Sequence, residues 1–200
     1  MKTRDVFFLL AALGVLAVWH WHERPRTRAP GVLVPQAPLQ RDLGPEPPAS
    51  WRQGDIAIKP LARFSLDARV LSRADYHFDA GAGLVPTDLA LGWGRMSDSA
   101  VLAAFDISQS NRFYYWQAES ALPIPEQEVI ESSANMHLIP ADRGVQRAID
   151  RVRIGDVVRF DGYLVEANWP NGYRWISSLT RSDSGYGACE LVWVEHFSVE

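Results

Sequence analysis

Apolar and polar residues alternate along much of this chain with the period of β-strands. Residues 64–71 read FSLDARVL, in which Phe, Leu, Ala and Val occupy every second position. A period of two predicts a strand that is buried on one face. Asn171-Gly172 is the clearest hairpin signal and joins the strands on either side of it. Aromatic and branched residues between turn-forming residues predict the other strands. These strands cover residues 88–93, 111–117, 135–139, 156–167, 173–179 and 190–199.

Two short helices interrupt the predicted strands. Ser97 or Asp98 can cap the first, which runs through residues 100–105. Asp142 can cap the second, whose apolar positions recur at helical spacing and which Gly155 stops. In OB-type barrels a helix also lies between the third and fourth strands. We therefore expect a mainly β, β-rich α+β domain, an OB-like partly open barrel with two short helices.

A different pattern marks the start of the chain. Residues 6–19 read VFFLLAALGVLAVW and carry no charge. Extended to Trp21, this run would span roughly 24 Å as a helix, somewhat less than a hydrocarbon core of about 30 Å. A signal peptide needs small residues at its cleavage site, whereas bulky rings follow here and suit the membrane interface. We expect residues 1–23 to form an uncleaved signal-anchor, a transmembrane helix.

Residues 24–50 are rich in proline, with seven of the thirteen prolines of the chain. Such density favours polyproline II and predicts a semi-rigid linker. A loop packed on the domain through residues 32–34 is the alternative. Lysines and arginines flank the anchor on both sides, so the positive-inside rule does not decide its orientation. The long spacer and the lack of a cytosolic nucleotide motif favour a single-pass protein of the bacterial inner membrane with a periplasmic domain.

Residues 51–200 are long enough to form one β-rich soluble domain with a good core. They contain fourteen Lys and Arg against twenty Asp and Glu, a net charge of −6. This balance disfavours nucleic acid as a partner, because non-specific binding depends on dense positive charge. The single cysteine excludes an intramolecular disulfide. No motif predicts a cofactor, and we expect none.

Several stretches of the chain resemble a known group of proteins. They are PGVLVPQAP in the spacer, LALGWGRMSD, ISQSNRFYYW, SANMHLIPAD and SLTRSDSGYGACELVWVE. On these residues the chain is similar to an uncharacterised family of bacterial single-pass membrane-anchored proteins of unknown function. The resemblance implies an architecture and a location. It implies no catalytic residues.

Three polar residues suggest a metal site. Asp75, His77 and Asp79 alternate with apolar neighbours, so on a strand they would share one face. One imidazole and two carboxylates suit zinc or manganese. An ordinary solvated strand face explains the same spacing, and we favour that interpretation.

A Cys-His pair is the candidate for nucleophilic catalysis. Cys189 requires a neighbouring base to form a thiolate near neutral pH, and His137 or His77 could supply it, with Asn135 orienting His137. However, Cys189 directly precedes an alternating strand, where an isolated cysteine is usually a small core residue. No family signature supports catalysis.

Aromatic residues are denser than a core of this size requires. On a strand, alternate rings point to opposite faces, so some could line a groove for a peptide, a glycan or a protein partner. Asn111 and Arg112 would add polar contacts beside Tyr115 and Trp169, and these four are the candidate binding residues. The alternative is that one set of rings fills the barrel while the other is covered by a helix or by the spacer. The aromatic residues in question are Phe113, Tyr114, Tyr115, Trp116, Trp169, Tyr173, Trp175 and Trp193.

These patterns together predict a membrane-anchored, non-catalytic binding or assembly module of the bacterial cell envelope. Its expected partners, besides the membrane, are another envelope protein or a cell-wall component. One alternative function is an envelope hydrolase that uses the Cys-His pair or a divalent metal, and another is a purely structural component of the envelope.

Overall fold

The computed structural model describes residues 24–200, and this part of the chain is mainly β. A short 3₁₀-helix covers Gly94–Ser97. The α-helices are α1 (Ser99–Leu102), α2 (Glu126–Glu131) and α3 (Arg143–Ile149). The strands are β1 (Leu39–Arg41), β2 (Trp51–Gln53), β3 (Ile56–Asp75), β4 (Thr87–Gly92), β5 (Phe105–Ser110), β6 (Phe113–Ala118), β7 (Ser133–Pro140), β8 (Val157–Asn168), β9 (Arg174–Ile176) and β10 (Glu190–Val199).

The main sheet is partly ring-like. Its strands pair in the order β3-β4-β7-β10-β8, and β8 pairs again with β3. All of these pairings are antiparallel except that of β7 with β10. The long β3 pairs with both β4 and β8. Its register shifts between Pro60 and Ala62 against β8 and between Val70 and Ser72 against β4. Such shifts let a strand bend, and they are positions at which a sheet tolerates proline.

The interior of the ring is apolar. Phe64 on β3, Leu138 on β7 and Phe160 on β8 belong to one buried cluster. Helix α3 covers this cluster with Val145 and Ile149. The helix begins at its predicted cap, since Oδ1 of Asp142 accepts hydrogen bonds from the backbone amides of Gly144 and Val145.

Most predicted elements are present, with shifted boundaries. The Asn171-Gly172 turn joins β8 to β9 as an antiparallel hairpin. The first predicted helix was extended too far, because α1 ends at Leu102 and Phe105 already begins β5. The ring of Phe105 packs edge-on against Trp116 of β6, 5.8 Å between centroids. Phe105 therefore belongs to the β5-β6 hairpin and not to the predicted helix. The second predicted helix ends at Ile149, short of Gly155, and α2 was not predicted.

The proline-rich segment lies against the domain at several points, as in the packed alternative, instead of extending away along its whole length. Val34 is buried in the main core, and its backbone amide donates a 3.0 Å hydrogen bond to Oγ of Ser97. Strand β1 pairs with β3. At Gly155, with φ of +87°, a Cβ atom would collide with the carbonyl oxygen of Arg26, so only glycine allows this approach.

The predicted anchor, residues 1–23, lies outside the described residues. From residue 24 to residue 200, no helix is both long and apolar enough to cross a membrane.

Candidate functional site

A cavity of about 760 Å³ opens where three connecting segments meet, and we name it the aromatic cavity. The segments are the loop between β3 and β4, the tip of the β5-β6 hairpin, and the long connection between β8 and β10. The volume lies within the range of small-molecule sites. Apolar side chains lining the cavity are Phe113, Tyr173, Trp175, Ile176 and Tyr186, and polar ones include Asp79, Asn111, Arg112, His137, Arg174, Ser177 and Cys189.

Arg112 lies at the centre of this arrangement in an unusual backbone conformation. Asn111 and Arg112 have φ values of +50° and +70°. Tight hairpin turns that need positive φ at both positions favour Asn-Gly, because a side chain is unfavourable in the left-handed region. Residues held in such conformations tend to cluster at functional sites, where the surrounding contacts compensate for the strain. The contacts of Arg112 provide that compensation.

The guanidinium of Arg112 is held by two carboxylates and a ring. It donates hydrogen bonds of 2.9 Å to Asp79, to Oδ1 of Asp88 and to the carbonyl of Val85. It also stacks over the ring of Tyr76, 3.6 Å from the centroid. The planar fork of arginine suits such simultaneous contacts, and lysine could not reproduce them.

The backbone of Arg112 is held as firmly as its side chain. Its amide donates a 3.1 Å hydrogen bond to the hydroxyl of Tyr76. Its carbonyl accepts a 3.0 Å hydrogen bond from Nδ2 of Asn135. Arg112 therefore joins the hairpin tip to the β3-β4 loop and to β7, and it fixes the position of the cavity wall.

Asp88 and His137 form a buried pair next to Arg112. They are register partners on β4 and β7, and both are almost completely buried. Nδ1 of His137 lies 2.9 Å from Oδ1 of Asp88, without the alignment of a hydrogen bond. Because a buried carboxylate requires a compensating charge, the contact with Arg112 is what makes burial of Asp88 tolerable. The His137 ring packs edge-on against Trp175, 4.6 Å between centroids.

Cys189 and His137 line the same cavity, and no hydrogen bond joins them among residues 24–200. Sγ of Cys189 lies 3.9 Å from the carbonyl of Arg112 and 3.8 Å from Nδ2 of Asn135. Burial raises the pKa of Cys189 to about 11, against the opposing effect of the Asn135 hydrogen bond and together with that of nearby acidic side chains. The thiol is thus protonated near neutral pH, whereas the thiolate is the nucleophilic form. The hydrogen bonds of Asn135 are with Gln109, Arg112 and Cys189, and none with His137 is found in the described part of the chain.

The three residues considered for a metal site are dispersed. Strand β3 ends at Asp75, so His77 and Asp79 lie in the following loop and share no strand face with it. Asp75 accepts hydrogen bonds from Arg73 and Thr87, and Asp79 binds Arg112. Among residues 24–200 no group of three His, Cys, Asp or Glu side chains is placed to hold a metal ion.

The four candidate binding residues occupy different places. Asn111 and Arg112 line the aromatic cavity, whereas Tyr115 lines a second, smaller cavity. Trp169 lines neither and packs against Tyr173, 5.1 Å between ring centroids. Sequence analysis missed Asp88. A signal was present, since it is a charged residue beside the apolar run LALGW, and a buried charge requires a partner.

Comparisons with known proteins give no match. No protein-family model matches the chain, and neither the curated proteins nor the solved structures contain a significant relative. The resemblance to a family of bacterial membrane-anchored proteins therefore stays a prediction.

Proposed function

We propose that the protein is a non-catalytic binding module of the bacterial cell envelope, tethered to the inner membrane and binding its ligand in the aromatic cavity. The observation that carries the proposal is the exposure of aromatic rings at a large cavity. Tyr173 is 50% exposed and Tyr186 is 95% exposed. Exposed apolar surface gathered at one concave site is typical of binding sites.

The order of strand pairing supports an OB-like barrel. Counted along the chain, the five ring strands are β3, β4, β7, β8 and β10, and α3 lies between the third and the fourth. OB-type barrels bind ligands beside the loops that follow their first and fourth strands. The corresponding segments here, residues 76–86 and 169–189, both contribute side chains to the aromatic cavity. This is a fold-level analogy, so it supports the location of the site and not the identity of the ligand.

The paired charges of the cavity favour an uncharged ligand. Arg112 is bound by Asp79 and Asp88, and Arg174 lies 2.8 Å from Glu166. With its cations engaged, the cavity offers little to a polyanion such as nucleic acid. Exposed rings combined with hydrogen-bonding groups suit a ligand that has apolar faces and hydroxyl edges. We therefore assign the cell-wall glycan as the ligand class.

A cysteine hydrolase fits the site less well. The pKa of Cys189 is raised to about 11, so the nucleophilic form is scarce at neutral pH. No hydrogen bond joins its Sγ to His137 among the described residues. Replacing Cys189 with serine is accordingly expected to leave glycan binding intact.

Co-sedimentation with purified, insoluble peptidoglycan tests the proposal. The full-length protein in detergent is expected to sediment with it, and Tyr173→Ala is expected to weaken binding roughly fivefold or more, because truncation of a contacting ring removes much of its binding energy. Tyr115→Ala is the matched control, since Tyr115 is similarly exposed, at 45%, but lines the other cavity. Failure of the wild type to bind, or equal loss in both variants, would contradict the proposal.

The proposed location has its own test. A reporter that is active only outside the cytoplasm, fused after Glu200, is expected to be active, while a cytoplasm-only reporter at the same position is expected to be silent. The opposite result would exclude cell-wall ligands.

A further inference from the structure

A second cavity lies beside the first, and we name it the carboxyl cavity. It has a volume of about 310 Å³, at the small end of the range for ligand sites. Strand β6, the start of β7 and the loop from Arg181 to Cys189 form its walls, and Glu190 lines it from the start of β10. It shares Phe113 and Cys189 with the aromatic cavity.

Glu190 is the unexplained feature of the carboxyl cavity. Its side chain is 1% exposed. Oε1 lies 2.7 Å from Nε of Arg181, but Oε2 is buried and has no hydrogen-bond partner. Buried polar atoms are normally satisfied, and an unsatisfied one in a cavity points to a missing donor. The guanidinium of Arg181 donates instead to the carbonyls of Thr180 and Ser178 and to the side chain of Gln40.

The walls of the carboxyl cavity favour a cation. Its charged lining residues are Arg181, Asp183 and Glu190, so two carboxylates face one cation once Glu190 is ionised. The rings of Tyr115 and Trp116 also line it. Aromatic faces attract organic cations, most strongly where water is excluded. Oε2 of Glu190 is the acceptor at this cavity that lacks a donor among the described residues.

We propose that the carboxyl cavity binds a small organic ammonium ion, whose nitrogen donates to Oε2 of Glu190 and whose apolar part packs against the rings of β6. This site is separate from the proposed glycan site and does not depend on it.

The proposal has a consequence for pH dependence. Burial raises the pKa of Glu190 to about 8, against the opposing effect of Arg181, so the carboxyl is mostly protonated at neutral pH. A bound cation favours the ionised carboxyl, and binding therefore releases a proton and tightens as the pH rises towards 8. The other titratable groups facing Glu190 are Arg181, Asp183, Tyr114, Tyr115 and Cys189. Burial raises the pKa of Tyr114 to about 12 and that of Cys189 to about 11, so these two stay protonated in this range.

Calorimetric titration of the full-length protein in detergent tests the proposal, with benzylammonium as the probe and benzyl alcohol as its uncharged analogue. At pH 8.5 the ammonium is expected to bind at least about tenfold more tightly than the alcohol. Its affinity is expected to fall roughly tenfold or more at pH 6.5, because most of the carboxyl is then protonated. Glu190→Gln is expected to abolish both differences.

Two tyrosine variants keep the test decisive if Glu190→Gln does not fold. Tyr115→Ala is expected to weaken ammonium binding, and Tyr173→Ala is expected to leave it unchanged, the reverse of their effects on glycan binding. The proposal is overturned if benzylammonium does not bind, if alcohol and ammonium bind equally, or if Tyr115→Ala binds the ammonium like the wild type. Failure of the glycan experiment would leave these ammonium results unaffected.

Discussion

The strand ring and the two cavities beside it bury different kinds of side chain. Inside the ring, Leu138, Phe160 and Leu164 are at most 1% exposed and entirely apolar. At the cavities, Asp88 and Glu190 are buried to the same degree and carry carboxyl groups. Apolar burial stabilises a fold without specific partners, whereas buried carboxyl groups must be compensated by nearby cations or protons. The ring therefore supplies stability, and the cavities place polar groups at defined positions at some cost to stability.

The largest effect is expected from breaking the ring. Phe160 stacks on Phe197 with ring centroids 5.8 Å apart and contacts Phe64 from the same core. Phe160→Ala would leave a void, and truncation of a buried phenylalanine costs about 3–5 kcal/mol of unfolding free energy. Urea unfolding followed by tryptophan fluorescence measures the loss. A change below about 1 kcal/mol would mean that the ring is not the stabilising core.

A smaller loss is expected from the charged centre of the aromatic cavity. Asp88→Asn removes the carboxylate shared by Arg112 and His137. Breaking a buried ion pair costs about 3–5 kcal/mol, and we expect about 2–3 kcal/mol here because Arg112 retains Asp79. Asp79→Asn is the matched control, since Asp79 also pairs with Arg112 but is partly exposed. It is expected to lower the unfolding free energy by less than Asp88→Asn does. Equal losses would show that burial does not set the strength of these contacts.

The ring could be predicted from sequence far better than the cavities. The final strand was predicted with its observed bounds, 190–199, because this segment is rich in branched and aromatic residues. Arg112 was a predicted site residue, but its pairing with Asp79 and Asp88 was not, since the three meet only when the β5-β6 hairpin folds back on the β3-β4 loop. The turn at Asn111 gave little signal, because arginine stands where glycine is usual.

Two further differences between the predicted and the observed structure have physical causes. β5 was missed because its first residue, Phe105, was assigned to a helix and residues 106–110 to no element, and only its pairing with β6 makes it a strand. The proline-rich segment looked like a spacer because proline lacks a backbone donor, yet its non-proline residues bond to Ser97 and Asp98. Tertiary contacts of this kind leave no periodic pattern in the sequence.

The pH dependence of the unfolding free energy tests the effect of burying Glu190. Burial raises its pKa to about 8 from the usual carboxyl value of 4.5. Between these values the unfolded chain loses the proton while the folded protein keeps it, so stability falls as the pH rises. The contribution is fully present below pH 4.5 and is lost by about pH 8. Glu190→Gln cannot titrate, and the difference in unfolding free energy between wild type and variant is expected to decline across this window.

Comparing the two proteins at each pH removes the other carboxylates from the result. Partial burial acts to raise the pKa of Asp75 and of Asp79, but their arginine partners hold both pKa values below the usual range. A lowered carboxyl pKa makes stability rise with pH, opposite to the effect of Glu190. These groups are common to both proteins, so their effects cancel in the difference. A difference that stays constant from pH 4.5 to pH 8 would show that Glu190 ionises normally.

The smallest effect is expected from a charged pair on the outside of the ring. Asp67 on β3 accepts two hydrogen bonds from Arg159 on β8, at 2.6 and 2.8 Å, a geometry at least as close as that of Asp88 with Arg112. Both side chains are more than a third exposed, so water and salt screen the attraction. Asp67→Asn is therefore expected to leave the unfolding midpoint unchanged within error. An equal loss of unfolding free energy in Asp67→Asn and Asp88→Asn would mean that bonding geometry, and not burial, determines the energy of these pairs. The contrast between ring surface and cavity would then lose its physical basis.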